Sequence, residues 1–188
     1  MTKDLRLPLA VTVATLLITW VARVWAERGL DHGEPVPLFG DLFRLTLGEN
    51  AGVAFGLLGG SPLVPWLAAL ALVLFALCLA RPLRGSRAGG AALGLILGGG
   101  LANLLDRLGD RLGDRGVTDY LDVGVGGWRW PTFNLPDVAI TAGVLLAVWL
   151  LLRGEDVGGD PKAEPAVGHP LPYARGRTPR VSDGDDGP

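Results

Sequence analysis

Four long apolar stretches constrain the fold of this chain more than any other feature of its sequence. They cover roughly residues 8–26, 62–80, 88–105 and 136–152, and each approaches the length that an α-helix needs to cross a bilayer. Hydrophobic residues make up 49% of the 188 residues, whereas charged residues make up only 19%. Helices of a soluble protein would need polar faces that these stretches lack. The sequence therefore predicts an all-α membrane protein with four transmembrane helices.

Arginine residues in the loops predict how the chain is oriented in the membrane. The connection between the second and third stretches contains Arg81, Arg84 and Arg87 and no acidic residue, which favours a cytoplasmic position. Four spans then place both termini in the cytoplasm as well. The predominantly acidic segment 27–61 is expected on the outer side of the membrane.

Two segments outside the apolar stretches carry signals of their own. Phe43, Leu45 and Leu47 alternate with polar residues, which is the period of a half-buried strand. With Leu38 and Phe39 included, they predict an outer β element over about residues 36–56. Residues 153–188 contain mostly glycine, proline and charged residues, which predicts a disordered cytoplasmic tail behind a four-span domain of residues 1–152.

Glycine is frequent in the third apolar stretch. Small residues allow membrane helices to approach each other closely, so the glycines favour tight helix packing. A second interpretation, space for a substrate near Gly98–Gly100, is left open by the sequence.

Polar residues gather where the third stretch ends and the fourth begins. They are Asn103, Asp106 and Arg107 at the end of the third stretch, Asp119, Tyr120 and Asp122 in the link, and Phe133, Asn134 and Asp137 at the start of the fourth. This cluster contains no serine, cysteine, histidine or lysine that could act as a nucleophile or base. The single cysteine, Cys78, lies within an apolar stretch, and His32 and His169 lie in different regions. We therefore expect neither a metal nor another cofactor.

Carboxylates alone can catalyse peptide hydrolysis when two of them share one proton. Like charges close together raise one pKa, so that one group stays neutral and donates while the other activates water. The residues by themselves do not select the pair. The candidates are Asp106, Asp110, Asp114, Asp119, Asp122 and Asp137.

Four short blocks resemble the signature blocks of one family. They are "NAGVAFGLL" (50–58), "GGGLANLLDRL" (98–108), "GVTDYLDV" (116–123) and "WPTFNLPDVAI" (130–140). In this order they are similar to the lipoprotein signal peptidases, signal peptidase II, over about residues 8–152. The resemblance implies an intramembrane aspartic peptidase of the bacterial cytoplasmic membrane, with four helices and a small extracytoplasmic β-cradle. It also implies cleavage of diacylglyceryl-modified prolipoproteins before the lipid-modified cysteine.

The resemblance also implies roles for individual residues. Asp119 and Asp137 match the catalytic pair near the outer face of the membrane. The residues that match supporting or substrate-binding positions are Asn50, Asn103, Asp106, Arg107 and Asn134. Asp106 and Arg107 are interpreted as a supporting ion pair or hydrogen-bonded clamp. The implied partners are the prolipoprotein and membrane lipid, a monomer suffices for one catalytic pair, and the net charge of −2 gives no reason to expect nucleic acid.

The chain departs from the family pattern at several positions. Thr19 and Arg23 stand where the family usually has an aspartate and a lysine, and Ala102 stands where a glycine precedes the asparagine. Pro136 replaces an alanine before Asp137, and because proline suits the first turn of a helix, Asp137 is expected to keep its geometry.

Two alternatives to an active peptidase are a non-enzymatic ion or proton relay, and an inactive relative that binds prolipoproteins.

Overall fold

Four helices and four strands make up the described part of the chain. The computed structural model describes residues 5–50, 61, 63–83, 86–109 and 116–153. In chain order, the elements are α1 (Arg6–Gly29), β1 (Val36–Phe39), β2 (Phe43–Asn50), α2 (Val64–Leu83), α3 (Arg87–Gly109), β3 (Val117–Val125), β4 (Trp128–Arg129) and α4 (Leu135–Leu152). The predicted tail lies outside the described residues after Arg153.

Among the described residues, three helices are long and apolar enough to cross a membrane: α1, α3 and α4. The predicted span 62–80 coincides with α2, whose described apolar part, Trp66–Phe75, is shorter. In α3, 44% of the most apolar window is buried, compared with 22% in α1 and in α4. Helix α3 is therefore the central helix, and α1, α2 and α4 all pack against it.

Glycine lets α3 approach two of its neighbours closely. A Cβ atom on Gly98 would lie 2.6 Å from Cβ of Thr15 on α1. A Cβ atom on Gly99 would lie 2.5 Å from the carbonyl oxygen of Pro136 on α4. Any larger residue at these positions would push the helices apart. The tight-packing interpretation is confirmed for Gly98 and Gly99. Gly100 instead lines a cavity of about 370 Å³ between α2, α3 and α4, so space for a substrate beside this glycine stays a prediction.

The strands form one antiparallel sheet in the order β1-β2-β3-β4. The predicted alternation in β2 is confirmed, since Leu45 and Leu47 are buried. Leu38 and Phe39 do not belong to that strand; they form β1, which is exposed along its length. Residues 51–56 of the predicted β element lie outside the described residues.

Strand β3 differs from the prediction, which places Asp119, Tyr120 and Asp122 in a link between two apolar stretches. In the structure, β3 pairs with β2 on one side and β4 on the other. Its burial is nearly continuous from Val117 to Tyr120, so the strand lacks the alternation that marks a half-buried strand. This strand brings Asp119 opposite Gly48 of β2.

Apolar side chains join the sheet to the helices. Ala26 and Leu30 at the end of α1 pack with Leu45, Leu47 and Tyr120 of the sheet. The start of α4 also packs against this cluster. The sheet therefore lies at the end of the bundle where α1 ends, α3 ends and α4 begins.

Candidate active site

Asn134, the residue before α4, connects two aspartates. Its Oδ1 accepts a hydrogen bond from the backbone N–H of Asp137 at 2.9 Å, and Asp137 Oδ2 accepts one from the backbone N–H of Asn134 at 3.2 Å. This reciprocal capping box satisfies backbone donors that the helix start would leave unpaired. Asn134 Nδ2 also donates to Asp119 Oδ1 at 2.9 Å. The cap that begins α4 therefore also holds the carboxylate on β3.

Asn103 of α3 completes the contacts of Asp137. Its Nδ2 donates to Asp137 Oδ1 at 2.8 Å, and its Oδ1 accepts a hydrogen bond from Asn134 Nδ2 at 3.2 Å. Asn134 is 1% exposed, and a buried amide is costly unless its polar atoms are paired. The two asparagines satisfy each other and both carboxylates at once.

Backbone hydrogen bonds hold the segment before α4 against β3. The N–H groups of Tyr120 and Leu121 both donate to the carbonyl of Phe133, at 3.0 and 2.8 Å, and the N–H of Phe133 donates to Leu121 O at 3.0 Å. The hydroxyl of Tyr120 accepts from the N–H of Leu135 at 3.2 Å. The strand and the helix start that carry the two aspartates are therefore fixed to each other.

Burial and a neighbouring charge make Asp119 a weak acid. Its residue is 2% exposed. Burial and the charge of Asp137 raise the pKa of Asp119 to about 7, against hydrogen bonds from Asn50 and Asn134 and the charge of Arg107. At neutral pH this carboxyl is therefore substantially protonated, as a shared-proton pair requires.

The two aspartates face a polar cavity of about 310 Å³. The predicted site residues that line it are Asn50, Asn103, Arg107, Asp119 and Asp137, together with residues 130–133, Val117 and Thr141. Arg107 Nη1 lies 3.5 Å from the carbonyl oxygen of Asn50 and interacts electrostatically with both aspartates. Of the predicted site residues, these five and Asn134 are therefore brought together, while Asp106 points elsewhere.

Two further cavities, both largely apolar, reach Asp137 from the helices. One, of about 450 Å³, follows the outer face of α4 past Trp130, Phe133 and Leu145. The other, of about 370 Å³, lies between α2, α3 and α4 and reaches Asn103 and Arg107. Asp137 therefore stands where a polar cavity meets two grooves with apolar walls.

Comparison with known proteins assigns the chain to a family. The family model of signal peptidase (SPase) II matches residues 11–153. The chain belongs to the signal peptidase II family. It is 39% identical over 166 residues to a lipoprotein signal peptidase of Mycobacterium avium, covering 86% of this chain and 89% of that protein. It is 35% identical over 156 residues to one from Syntrophus aciditrophicus, covering 79% of this chain and 93% of the other.

Solved structures support the fold. One bacterial membrane enzyme determined by the in meso method at 2.3 Å resolution superposes with a TM-score of 0.65 at 21% identity, covering 81% of this chain and 92% of that one. A second such structure, at 1.9 Å resolution, gives a TM-score of 0.63 at 21% identity, covering 78% and 92%. The arrangement of helices and sheet is therefore shared with known membrane enzymes.

Two of the departures from the signal peptidase II pattern, Thr19 and Pro136, are accommodated locally in the structure, whereas nothing in the structure explains Ala102. The hydroxyl of Thr19 donates to the carbonyls of Thr15 at 2.8 Å and Leu16 at 3.1 Å, within its own helix. Pro136 lies in the first turn of α4 and leaves the capping box of Asn134 and Asp137 intact. Asp137 therefore takes part in a regular helix cap beside this proline.

The interpretation of Asp106 and Arg107 as a pair missed the main partner of Asp106. Asp106 Oδ1 lies 2.6 Å from Nη1 of Arg23 on α1, and Asp106 Oδ2 accepts from the N–H of Thr118 at 2.9 Å. Arg107 extends instead toward the polar cavity. Arg23 lies within an apolar stretch, and a charged residue in that position indicates a functional role. The sequence does not reveal its partner, because Asp106 lies on a different helix.

Asp122 is a structural carboxylate in this member of the signal peptidase II family. It accepts hydrogen bonds from Arg44 at 2.8 and 3.0 Å, from Arg129 at 2.6 and 2.8 Å, and from Thr46 at 3.0 Å. Burial opposes its ionisation, but the hydrogen bonds from Arg129, Arg44 and Thr46 outweigh burial and hold the pKa of Asp122 below its usual value. A carboxylate so fully engaged ties three strands together. Asp110 and Asp114 lie outside the described residues.

Proposed function

We propose that this protein is a membrane aspartic endopeptidase that removes the signal peptide from diacylglyceryl-modified bacterial prolipoproteins. It belongs to the signal peptidase II family, whose members in other bacteria are lipoprotein signal peptidases. Cleavage falls before the lipid-modified cysteine. Family membership does not favour the non-enzymatic relay or the inactive relative.

The observation that carries the mechanism is the Asn134 bridge between Asp119 and Asp137. The side-chain Nδ2 of Asn134 donates to the Asp119 carboxyl, and the backbone N–H of the same residue donates to the Asp137 carboxyl. The pair borders the polar cavity. Asp119, with its pKa at about 7, carries the shared proton in the resting enzyme. Asp137 receives hydrogen bonds from Asn103 and from the backbone of Asn134, and these donors stabilise a carboxylate.

These roles allow hydrolysis without a covalent intermediate. The carboxylate of Asp137 takes a proton from a water molecule, and the water oxygen attacks the carbonyl carbon of the scissile bond. Asp119 donates its proton to the carbonyl oxygen, which gives a neutral tetrahedral diol. The proton held by Asp137 then passes to the leaving amide nitrogen while Asp119 recovers its proton from the diol, so the C–N bond breaks and the pair returns to its starting state.

The surrounding surfaces suit a substrate that is part peptide and part lipid. The polar cavity lined by Asn50 and Arg107 suits the peptide backbone around the scissile bond. The apolar grooves that reach Asp137 suit a hydrophobic signal helix and acyl chains. In the proposed topology α1 to α4 all cross the inner membrane, both termini are cytoplasmic and the sheet lies on the outer side. One chain supplies both aspartates, so a monomer suffices.

Cleavage of a diacylglyceryl-modified prolipoprotein by the purified full-length protein in detergent tests the proposal. Wild type should cut before the modified cysteine, and D119N and D137N should each lose at least about 10³-fold in rate because neither retains a pair that shares a proton. D31N is the matched control, since Asp31 is an exposed aspartate and the variant should cleave at the wild-type rate.

Three results would contradict the proposal in whole or in part. A folded wild type that never cuts a precursor accepted by another signal peptidase II would exclude the peptidase function. Near-normal cleavage by folded D119N or D137N would keep the peptidase but exclude this pair. The same precursor without its diacylglyceryl group should be cut much more slowly, and equal rates would remove the lipid from the substrate definition.

A further inference from the structure

Arg23 of α1 reaches the site from the side opposite the polar cavity. Its Nη1 lies 2.6 Å from Asp106 Oδ1, and its Nε lies 2.7 Å from Glu27 Oε1. The side chain of Arg23 is 32% exposed, while that of Asp106 is only 7% exposed. Among the described residues none donates a hydrogen bond to Asp106 Oδ1, and the short contact of this atom with Arg23 is an ion pair. Arg23 is therefore the group that balances this buried carboxylate.

Thr118, the residue directly before Asp119, has all three of its polar groups engaged by different parts of the fold. Its N–H donates to Asp106 Oδ2 at 2.9 Å, and its hydroxyl donates to Glu27 Oε1 at 3.2 Å. Its carbonyl accepts a hydrogen bond from Asn134 Nδ2 at 3.3 Å. Helix α3, helix α1 and the start of α4 thus meet at one residue. The backbone at Thr118 sets where the Asp119 side chain begins.

Apolar surroundings make the carboxylate of Asp106 dependent on the positive charge of Arg23. A cavity of about 260 Å³ lies between α1, α3 and β3, and most of its lining is apolar: Leu16, Leu17, Trp20, Ala102, Leu105 and Pro136. A carboxylate in such surroundings is strongly destabilising when it loses its partner. Removal of Arg23 would therefore displace Asp106, and Thr118 would lose its amide acceptor.

We infer that Arg23 is a positioning residue that acts through Asp106 and Thr118 to hold Asp119 at the correct distance from Asp137, with Glu27 as a second anchor. This inference rests on the proposed function, since it assigns Arg23 a part in the proposed reaction. The alternative is that Arg23 only stabilises the packing of α1 against α3. The two differ in kinetics, because a displaced Asp119 changes the reaction itself, whereas loss of packing changes only the amount of folded enzyme.

The pH dependence of cleavage reports the position of Asp119. The charged and polar groups that face it are Asp137 from α4, Arg107 from α3, Asn50 from β2 and Asn134 before α4, and none of these is altered in the variants below. Movement of Asp119 away from Asp137 and toward water weakens both causes that raise its pKa. The alkaline limb of the pH–rate profile should then move to lower pH.

The experiment measures kcat and KM for the full-length enzyme from pH 5 to 9 in wild type, R23Q, R23K, R23Q/D106N and R28Q. R23Q should lower kcat by about 10-fold to 100-fold, leave KM within about 3-fold, and shift the alkaline limb to lower pH. R23K keeps the positive charge but lacks the planar guanidinium group, which can bind Asp106 and Glu27 at the same time. Its kcat should therefore lie between those of R23Q and wild type. Arg28 is exposed on the same helix, and R28Q should match wild type.

The double variant separates positioning from packing. In R23Q/D106N the side chain at position 106 is a neutral amide that needs no cation, and its carbonyl oxygen can still accept from the N–H of Thr118. The double variant should be several-fold more active than R23Q, with the alkaline limb returned toward that of wild type. If R23Q does not fold, R23K and the double variant supply the same comparison with R28Q.

The remaining results distinguish failure of the positioning role of Arg23 from failure of the proposed catalytic pair. If R23Q lowers the melting temperature but leaves kcat and the alkaline limb of the folded enzyme at wild-type values, or if the double variant is no better than R23Q, Arg23 is not a positioning residue. These results would leave the proposed function intact as long as D119N and D137N are inactive. Retained cleavage by D119N would overturn the catalytic pair instead, whatever R23Q does.

Discussion

Asn134 Nδ2 lies 2.9 Å from Asp119 Oδ1, although Asn134 is also the residue that caps the helix carrying Asp137. One residue therefore caps the helix and contacts two carboxyl groups, that of Asp119 through its side chain and that of Asp137 through its backbone N–H. This relationship explains how an aspartate can begin an otherwise apolar helix. Asp137 is required there by the cap as well as by the chemistry that we propose.

Replacement of Asn134 by alanine should affect stability and activity to different degrees. Loss of the cap costs about 1 kcal/mol of unfolding free energy, while loss of the bridge should lower kcat by at least about 100-fold. Ser86→Ala is the matched control, because Ser86 Oγ caps α3 by accepting from the N–H of Gly89 at 2.9 Å. Thermal unfolding and cleavage rate per folded molecule are the measurements. Equal activity in the two variants would contradict the bridge.

Gly99→Ala should disturb the site through the helix backbone. The added Cβ would lie 2.5 Å from the carbonyl oxygen of Pro136 and 2.9 Å from Ile140 Cγ1, so the first turn of α4 must move. Overpacking of this kind costs about 1–3 kcal/mol, and displacement of Asp137 should lower kcat by at least about 10-fold. The Cβ atom added by Gly109→Ala, on the same helix, would have no atom within 4 Å. This control variant should keep the wild-type stability and the wild-type kcat. Wild-type kcat in Gly99→Ala would show that α4 can adjust without moving Asp137.

Asp122→Asn should destabilise the sheet while the folded fraction keeps most of its cleavage activity. The substitution leaves Arg44 and Arg129 without their shared carboxylate, at a cost of about 1–3 kcal/mol. The pKa of Asp122 is lowered in the folded state. The ionised carboxylate therefore adds to the free energy of unfolding above the unfolded pKa of about 3.9, and this stabilisation is lost as the pH falls. The difference in melting temperature from wild type should therefore shrink under acidic conditions. If Asp122→Asn lost as much activity as D119N, Asp122 would have a role in the reaction and not only in the stability of the sheet.

Asp119 should have the opposite effect on the pH dependence of stability. Its folded-state pKa of about 7 lies above the unfolded value of about 3.9, so burial of the neutral acid is least costly below pH 4 and stability falls as the pH rises to about 7. D119N has no carboxyl to ionise. Its unfolding free energy, measured from pH 4 to 8, should decline less than that of wild type. Parallel curves for the two proteins would contradict the raised pKa.

Some parts of the site could be predicted from sequence because their determinants are adjacent in the chain. Asn134, Pro136 and Asp137 lie within one helical turn, and the cap they form depends on local geometry. The alternation of Leu45 and Leu47 predicted β2 for a similar reason. Strand β3 escaped prediction because it is buried on both faces around Asp119 and Tyr120, and the sequence then has no period of two.

The sequence by itself determined the apolar helices, the strand β2, the helix start at Pro136 and Asp137 and the similarity to one family, since hydropathy, periodicity and motif order are properties of contiguous residues. The tertiary structure alone decided which polar side chains meet: Arg23 with Asp106, Asn103 with Asp137, and Arg129 and Arg44 with Asp122. The physical reason is that most of these partners come from separate elements, so their contact depends on which helix faces and strand registers pack together. Close approach at Gly98 and Gly99 sets that packing, and it is what turns a group of scattered polar residues into a single site.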